Sequence, residues 1–315
     1  MAVRQLLDSK PMVKTTEAYH LPVMLNECIQ GLNIKKDGIY VDVTFGGGGH
    51  SKEILKHLGD NGKLYAFDQD ADAVQNLPDD PRLVFINHNF RYIRQFLEYL
   101  KAVPVDGILA DLGISSYQIN KAEKGFAHRL SGDLDMRMDQ NAPLKASDIV
   151  NQYGERDLLK IFNQYGEIKN AYKLVQVILE KRKVHPITTI EDFKTAISNC
   201  IPGKEESKYL SQVFQALRIE VNNEMKALEA LLENVTDLLA PGGRFVVMSY
   251  HSLEDRMVKN FINTGNVEGE LKKDLFGKTS LQMKAITKKP IIPSDEEIAE
   301  NKRARSAKLR IAEKI

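Results

Sequence analysis

The sequence predicts an α/β fold: a doubly wound parallel sheet interrupted by an inserted all-helical domain. Three observations carry that reading. Short apolar, strand-like runs alternate with helical patterns through the first third of the chain. Four consecutive glycines, Gly46 to Gly49, separate the first such strand from a helix. The alternation stops near Ser115 and resumes only after Tyr209. Parallel strands require crossover connections, and helices supply them while covering both sheet faces. The expected organisation is a disordered arm over 1–17, a sheet domain over 18–114 and 210–315, and a helical insertion over 115–209.

Taken in order, "LPVMLNECIQGL" places Pro22 at a helix start and Leu25, Cys28, Ile29 and Leu32 on one face. "GIYVDVT" reads as a strand, "SKEILKHLG" as a short helix closed by Gly59, and "KLYAFDQD" as the next strand. A helix is expected at 70–77, then "RLVFINHN" as a strand, "YIRQFLEYLK" as a helix and "VDGILADLG" as the fourth strand. Within the insertion, Ala171, Leu174, Val175, Ile178 and Leu179 form a helical stripe. Beyond it, Met225, Leu228, Leu232, Val235 and Leu239 mark a long amphipathic helix, "PGG" a turn and "RFVVMSY" a strand.

Composition bounds the function. The 315 residues are 43% apolar and 28% charged, ordinary for a globular protein with a real core. The net charge of +1 means that polyanion binding has to come from local patches. The first residues lack an apolar signal core, and no apolar run nears the roughly 18 residues of a membrane span. Cys28 and Cys200 are too far apart for a C-x-x-C site. A soluble, cytoplasmic protein is expected.

The glycine loop lies where doubly wound sheets bind cofactors. A phosphate-binding P-loop fails, because Ser51 stands where its second glycine belongs. The dinucleotide fingerprint also fails, with Ser51 or Lys52 at its third glycine. The remaining candidate is S-adenosyl-L-methionine, whose methionine portion would lie against bare main chain while the next helix's amides meet its carboxylate. His50, at that helix start, is expected to be neutral, since a positive charge there opposes the helix dipole. Asp68, ending the second strand, would accept hydrogen bonds from both ribose hydroxyls. Asp42 is placed to support the loop or the cofactor's amine, and "PGGR" suits the same class. These features predict a methyltransferase.

Methylation at C5 of a pyrimidine needs a cysteine nucleophile, and neither cysteine is placed for it. The fourth strand instead delivers Asp111, Ser115 and Ser116 to the cleft. Acceptors there would localise the lone pair of an exocyclic amine and aim it at the methyl group. The prolines of the common amine-methylating tetrapeptide are absent, so amine, hydroxyl and carboxyl targets all stay open on residue chemistry alone. The Asp-x-Asp of "GDLDMRMD" invites a metal reading, but sulfonium transfer needs none, and none is expected.

The ordered set "HLPVML", "DVTFGGGGHS", "FDQD", "DGILADLGISSYQ", "GFAHRLSGDLDMRMD", "FQALRIEVNNE", "SYHSLEDR" and "RARSAKLRIAEK" resembles the bacterial ribosomal RNA small-subunit methyltransferase H (MraW) family over residues 18 to 314. The resemblance implies a class I S-adenosylmethionine-dependent methyltransferase domain with a helical insertion. It implies N4-methylation of the P-site cytidine of 16S ribosomal RNA within the small ribosomal subunit. It further implies cofactor contacts at Gly48, Gly49, His50, Asp68, Phe90, Asp111 and Gln118. Gly47 stands where the family often has a larger residue. Asp111, Ser115 and His251 are the catalytic candidates, His251 for orienting the cytosine. Lys181, Arg182 and Lys183 in the insertion, with Arg303, Arg305, Lys308 and Arg310 in the tail, form the expected RNA footprint. Phe126 and Tyr117 are the aromatics available for stacking a splayed base. A homodimer is compatible with these features. The competing readings are a small-molecule methyltransferase with a helical lid and a non-catalytic ribosome assembly factor.

Overall fold

A computed structural model of the chain describes residues 22–271 and 281–315; the arm expected over 1–17 lies outside the described residues. The chain runs α1 (Leu25–Leu32), β1 (Ile39–Asp42), α2 (Gly49–His57), β2 (Lys63–Phe67), β3 (Leu83–Ile86), α3 (Ile93–Tyr99) and β4 (Val105–Asp111). Helices α4 (Ser116–Asn120), α5 (Ala146–Gln152), α6 (Glu155–Gln164), α7 (Ala171–Val184), α8 (Ile190–Ile197) and α9 (Glu206–Asn222) follow. The sheet then resumes through α10 (Glu224–Leu238), β5 (Leu239–Ser249), α11 (Ser252–Thr264), β6 (Met283–Ala285), α12 (Asp295–Glu300) and β7 (Lys308–Lys314).

The seven strands lie in the order β3-β2-β1-β4-β5-β7-β6. Strands β1 to β5 pair in parallel, and β7 runs antiparallel to both β5 and β6. The chain winds outward from β1 to β3 and returns beside β1 as β4. A crevice therefore opens beyond the carboxyl ends of β1 and β4, where the winding reverses. The period of two is clear in the burial: Val41, Ile108, Ala110 and Val247 face the cluster under α3, α10 and α11. Tyr40, Leu109, Val246 and Met248 face the cluster under α1 and α2.

Several elements differ from expectation for identifiable reasons. The sheet is mixed, because the tail read as a basic extension forms β7. Leu309, Ile311 and Ala312 are buried there, and Arg310 is neutralised by Asp255 of α11. Helix α1 starts at Leu25, since Met24 is left-handed (φ 50°) and breaks the turn begun at Pro22. The helix expected at 70–77 is a 3-10 segment over Ala71–Asn76, opened by the Asp70 carboxylate on the Asp72 amide. "PGG" lies inside β5 as a bulge: the pairing jumps from Val105↔Leu239 to Gly107↔Arg244, with Gly242 at φ 76°. Leu239 thus belongs to β5, and Leu231 and Leu238 complete the buried stripe of α10.

No strand occurs among the described residues of 115–209. Its helices share a core that includes Leu134, Phe162, Leu174, Ile190 and Phe193, and extends through Phe214, Leu217 and Val221. Helix α9 therefore packs with the insertion, well past the boundary expected at 209. Among the described residues, no helix is long and apolar enough to cross a membrane.

Candidate active site

Three carboxylates converge on the crevice from adjacent strand ends: Asp42 from β1, Asp68 just past β2 and Asp111 from β4. Asp42 is fully buried and accepts Ser51 Oγ at 2.6 Å and the Thr44 amide at 3.0 Å, which pins the glycine loop to α2. Asp68 holds the loop from the other side. Its Oδ2 accepts the Gly46 amide at 2.7 Å and its Oδ1 the Asp70 amide at 2.8 Å. A carboxylate has about four acceptor sites, so both oxygens keep capacity for a ligand's hydroxyls.

The glycines are required for more than one reason. Gly46 and Gly48 have φ of 51° and 74°, a region costly for residues with a Cβ. A Cβ on Gly48 would lie 2.7 Å from the Phe45 ring, and one on Gly49 would lie 2.2 Å from Pro22. At these two positions the protein itself excludes a side chain. Gly47 is different: a Cβ there meets nothing within 4 Å, so its main chain faces open space. Helix α2 begins with no side-chain cap, leaving its first-turn amides available to an anionic group.

Burial raises Asp68 to a pKa of about 6, partly offset by the Asp70 and Gly46 amides, while the Asp70 and Asp42 charges add to the rise. Asp111 is also raised to about 6, first by burial; His50 and the Tyr250 hydroxyl pull it back, and Asp42 and Glu254 push it up. Three crowded acids with suppressed ionisation form a site that an arriving cation would complete.

Asp111 is the best-supported group in the cleft. Its amide donates to Thr44 Oγ1 at 2.7 Å, and its Oδ1 accepts the Tyr250 hydroxyl at 2.8 Å. His50 Nδ1 stands 3.7 Å from Oδ2, while His50 Nε2 contacts the Val23 carbonyl oxygen at 3.2 Å. The buried His50 ring thus backs Asp111 rather than lining open space. Gly113 (φ 105°) lets the chain pass the Tyr250 ring, which a Cβ would approach to 3.3 Å.

Other expected residues take more specific positions. Ser115 and Gln118 form a reciprocal capping box on α4, and Gln118 Nε2 donates to Asp70 at 2.9 Å. The polar atoms of Gln118 are thereby engaged within the protein. Phe90 sits half-buried one strand beyond Asp68, in a 3-10 turn capped by Asn89. His251 caps α11, with its ring packed against Glu254 (3.2 Å) in a buried cluster that includes Glu224. It does not face the cleft as expected and reaches Asp111 only through Glu254 and Tyr250. Phe126 belongs to the insertion's core. The "DLDMR" segment is self-paired, Asp135 binding Arg137 with both oxygens. Cys28 is buried and its thiol is pushed well up, chiefly by burial and then by Asp111, so it offers no thiolate.

The expected RNA footprint divides. Lys181 and Lys183 are exposed at the end of α7, whereas Arg182 donates to the Val150 and Tyr153 carbonyls and closes α5. Arg310 is buried against Asp255, which also holds Lys308, so Arg310 is removed from any phosphate contact. In the preceding turn Arg305 is exposed, whereas Arg303 is half-buried. Sequence reasoning missed Tyr250, Asp70 and Lys124. Lys124 is buried and binds Asp70 at 2.6 Å and Asp72 at 2.9 Å, tying the insertion's first segment to the loop behind Asp68. Tyr250 was adjacent to a residue already singled out, but the pairing of Lys124 with Asp70 left no local signal.

The strand order, the switch-point crevice, the glycine loop and the Asp68–Asp111 pair define a class I S-adenosylmethionine-dependent methyltransferase. Its sequence relatives narrow the class. A family model described as the MraW methylase family matches residues 17–315. A Parabacteroides distasonis protein named Ribosomal RNA small subunit methyltransferase H is 52% identical over 305 residues, covering 96% of this chain and 100% of that protein. A Flavobacterium johnsoniae protein of the same name is 54% identical over 301 residues, covering 96% and 99%. A solved structure of an rRNA methylase from Streptococcus thermophilus is 12% identical, covers 92% of this chain and 93% of that one, and has a TM-score of 0.40, a likeness too remote to inform the assignment. The chain belongs to the MraW methylase family.

Proposed function

We propose that this enzyme methylates N4 of the P-site cytidine of 16S ribosomal RNA, acting on the small ribosomal subunit. The observation that carries the reading is Asp111: a carboxylate at the end of β4, braced by Tyr250 and backed by His50, with Oδ2 beyond hydrogen-bond distance of any ring nitrogen. The names of the relatives support the choice of small-subunit ribosomal RNA.

When bound, S-adenosylmethionine supplies an electrophilic methyl on a sulfonium. Asp68 and Phe90 would hold its ribose and adenine end, and the main chain at Gly47 with the first turn of α2 its amino-acid end. Asp111 accepts an N–H bond from the exocyclic amine, which localises the lone pair and fixes its direction of attack. Ser115 Oγ already accepts the Gln118 amide at 3.2 Å, and its own hydrogen is available to the base. Once N4 carries the methyl group, its surplus proton passes to Asp111, whose pKa of about 6 suits an acceptor working near neutrality.

The test uses labelled donor and small subunits from cells lacking the activity, followed by digestion to nucleosides. Label is expected in N4-methylated cytidine. Label in another nucleoside would remove the N4 assignment; turnover of small molecules without RNA would favour a lid enzyme, and binding without any turnover an assembly factor.

A further inference from the structure

Two arginines from different parts of the chain converge on one neutral acceptor beside the cleft. Arg303, in the 3-10 turn Lys302–Ser306, donates from Nη2 to Asn120 Oδ1 at 3.0 Å. Arg129, in the insertion between α4 and α5, donates from Nη2 to the same oxygen at 3.4 Å. Arg137, Arg218 and Arg310 each hold a carboxylate, the usual partner of a guanidinium that is partly or fully buried. Among the described residues, no carboxylate forms an ion pair with Arg129 or Arg303. Arg303 Nη1 is buried and makes no hydrogen bond. Burial and the neighbouring Arg129 both lower the pKa of Arg303, so the free protein bears a cost at this spot.

Two cations without a carboxylate partner, one of them carrying an idle buried donor, are an arrangement that an anion completes. Its location says which anion. Asn120 ends α4, the five-residue helix that Ser115 caps at the glycine loop. At 1.5 Å per residue, that helix sets Asn120, the acceptor of both arginines, about 8 Å along from Ser115, which lies against the glycine loop. One arginine comes from the insertion and the other from the segment that leads into β7, so a ligand here spans both parts of the molecule.

We propose that Arg129 and Arg303 together grip one phosphodiester group of the RNA strand that carries the target base. The inference rests on the ribosomal RNA reading above and gives it a specific contact. Planar forks matching one phosphate fix the strand's register, while Asp111 and Ser115 address the base.

The test compares the parent enzyme with Arg129→Gln, Arg303→Gln and the double variant. Binding to unmethylated small subunits is measured by sedimentation over a salt series, with donor affinity and thermal unfolding in parallel. Each single change is expected to weaken subunit binding about tenfold. The double variant should lose little more, because both side chains hold one group. The slope of log affinity against log salt should fall by about 0.7 to 0.9, the value for one phosphate. Donor affinity should be unchanged, and Arg129→Gln should unfold no earlier than the parent. Unchanged subunit affinity would overturn the proposal. So would additive losses with a slope change of about two phosphates, which would mean separate contacts. Binding is read without turnover, so failure of the cytidine assignment would show as absent N4 product and leave this result interpretable.

Discussion

Replacing Asp68 with alanine removes two sets of interactions, and their sizes can be worked separately. Within the protein, the amides of Gly46 and Asp70 lose acceptors at 2.7 and 2.8 Å. Each unpaired amide costs about 1–3 kcal/mol where water cannot replace the carboxylate, so the loop loosens and the thermal midpoint falls. Toward the donor, the variant would lose the two proposed ribose hydroxyl bonds to a charged acceptor, about 1.5–3 kcal/mol each. Their sum, about 3–6 kcal/mol, corresponds to a loss of roughly two to four powers of ten in affinity. Asp68→Asn separates the two effects. It keeps one acceptor oxygen, but its amide nitrogen opposes one of the backbone donors, so affinity should still fall at least about tenfold. Calorimetric titration with S-adenosylmethionine reads the affinity and a melting curve the loop. Donor binding by Asp68→Ala within about fivefold of the parent would refute the ribose role.

Further outcomes are expected in and around the site. Gly48→Ala should destabilise the protein by at least the ~1–2 kcal/mol of a left-handed residue with a Cβ, with more from the Phe45 contact. Gly47→Ala should melt like the parent yet bind donor more weakly; calorimetry and melting curves on the pair check both. Lys124→Met leaves buried Asp70 with only Gln118 Nε2 as a side-chain donor, while Asp72 keeps Lys121, and should cost about 3 kcal/mol in urea unfolding, the low end for a broken buried pair; a loss below about 1 kcal/mol would contradict its role as a buried tie. Donor affinity should be flat above about pH 7 and fall as pH drops through 6. Asp68 and Asp111 protonate there in the free protein, and a cationic ligand favours their ionised forms. The sign for stability is the reverse: with pKa values raised above the unfolded ~3.9, these two acids contribute stability below that value that is lost as pH rises through 6. A calorimetric pH series and parallel melting curves test the two signs together.

What was legible in the sequence was local. A strand, four glycines and a short helix with Asp68 one strand later specify the crevice at the switch point, because each is a few residues long and its chemistry is carried by residue type. Asp111 was legible for the same reason. The tail was misread because counting cations ignores partners: Arg310 lies in a strand pairing with β5, and its counter-charge Asp255 is on α11. "PGG" reads as a turn, and only the register against β4 reveals a bulge within one strand. The purpose of the glycines was partly mistaken, since Phe45 and Pro22 account for Gly48 and Gly49. That requirement depends on how the loop folds over its own neighbours. His251 looked like a cleft residue by its place after β5, but its ring turns into the protein to cap α11, and Tyr250 is the neighbour that reaches Asp111.

The most direct measurement is a crystal structure of the enzyme with S-adenosylhomocysteine, the demethylated donor. The ribose hydroxyls should lie within hydrogen-bond distance of Asp68, the amino-acid end against Gly47 and the start of α2, and the sulfur should face Asp111. A ligand seated instead in the cleft of about 420 Å³ lined by Tyr165, Glu167, Met225 and Met257, or one that leaves Asp68 untouched, would contradict the assignment of the donor site.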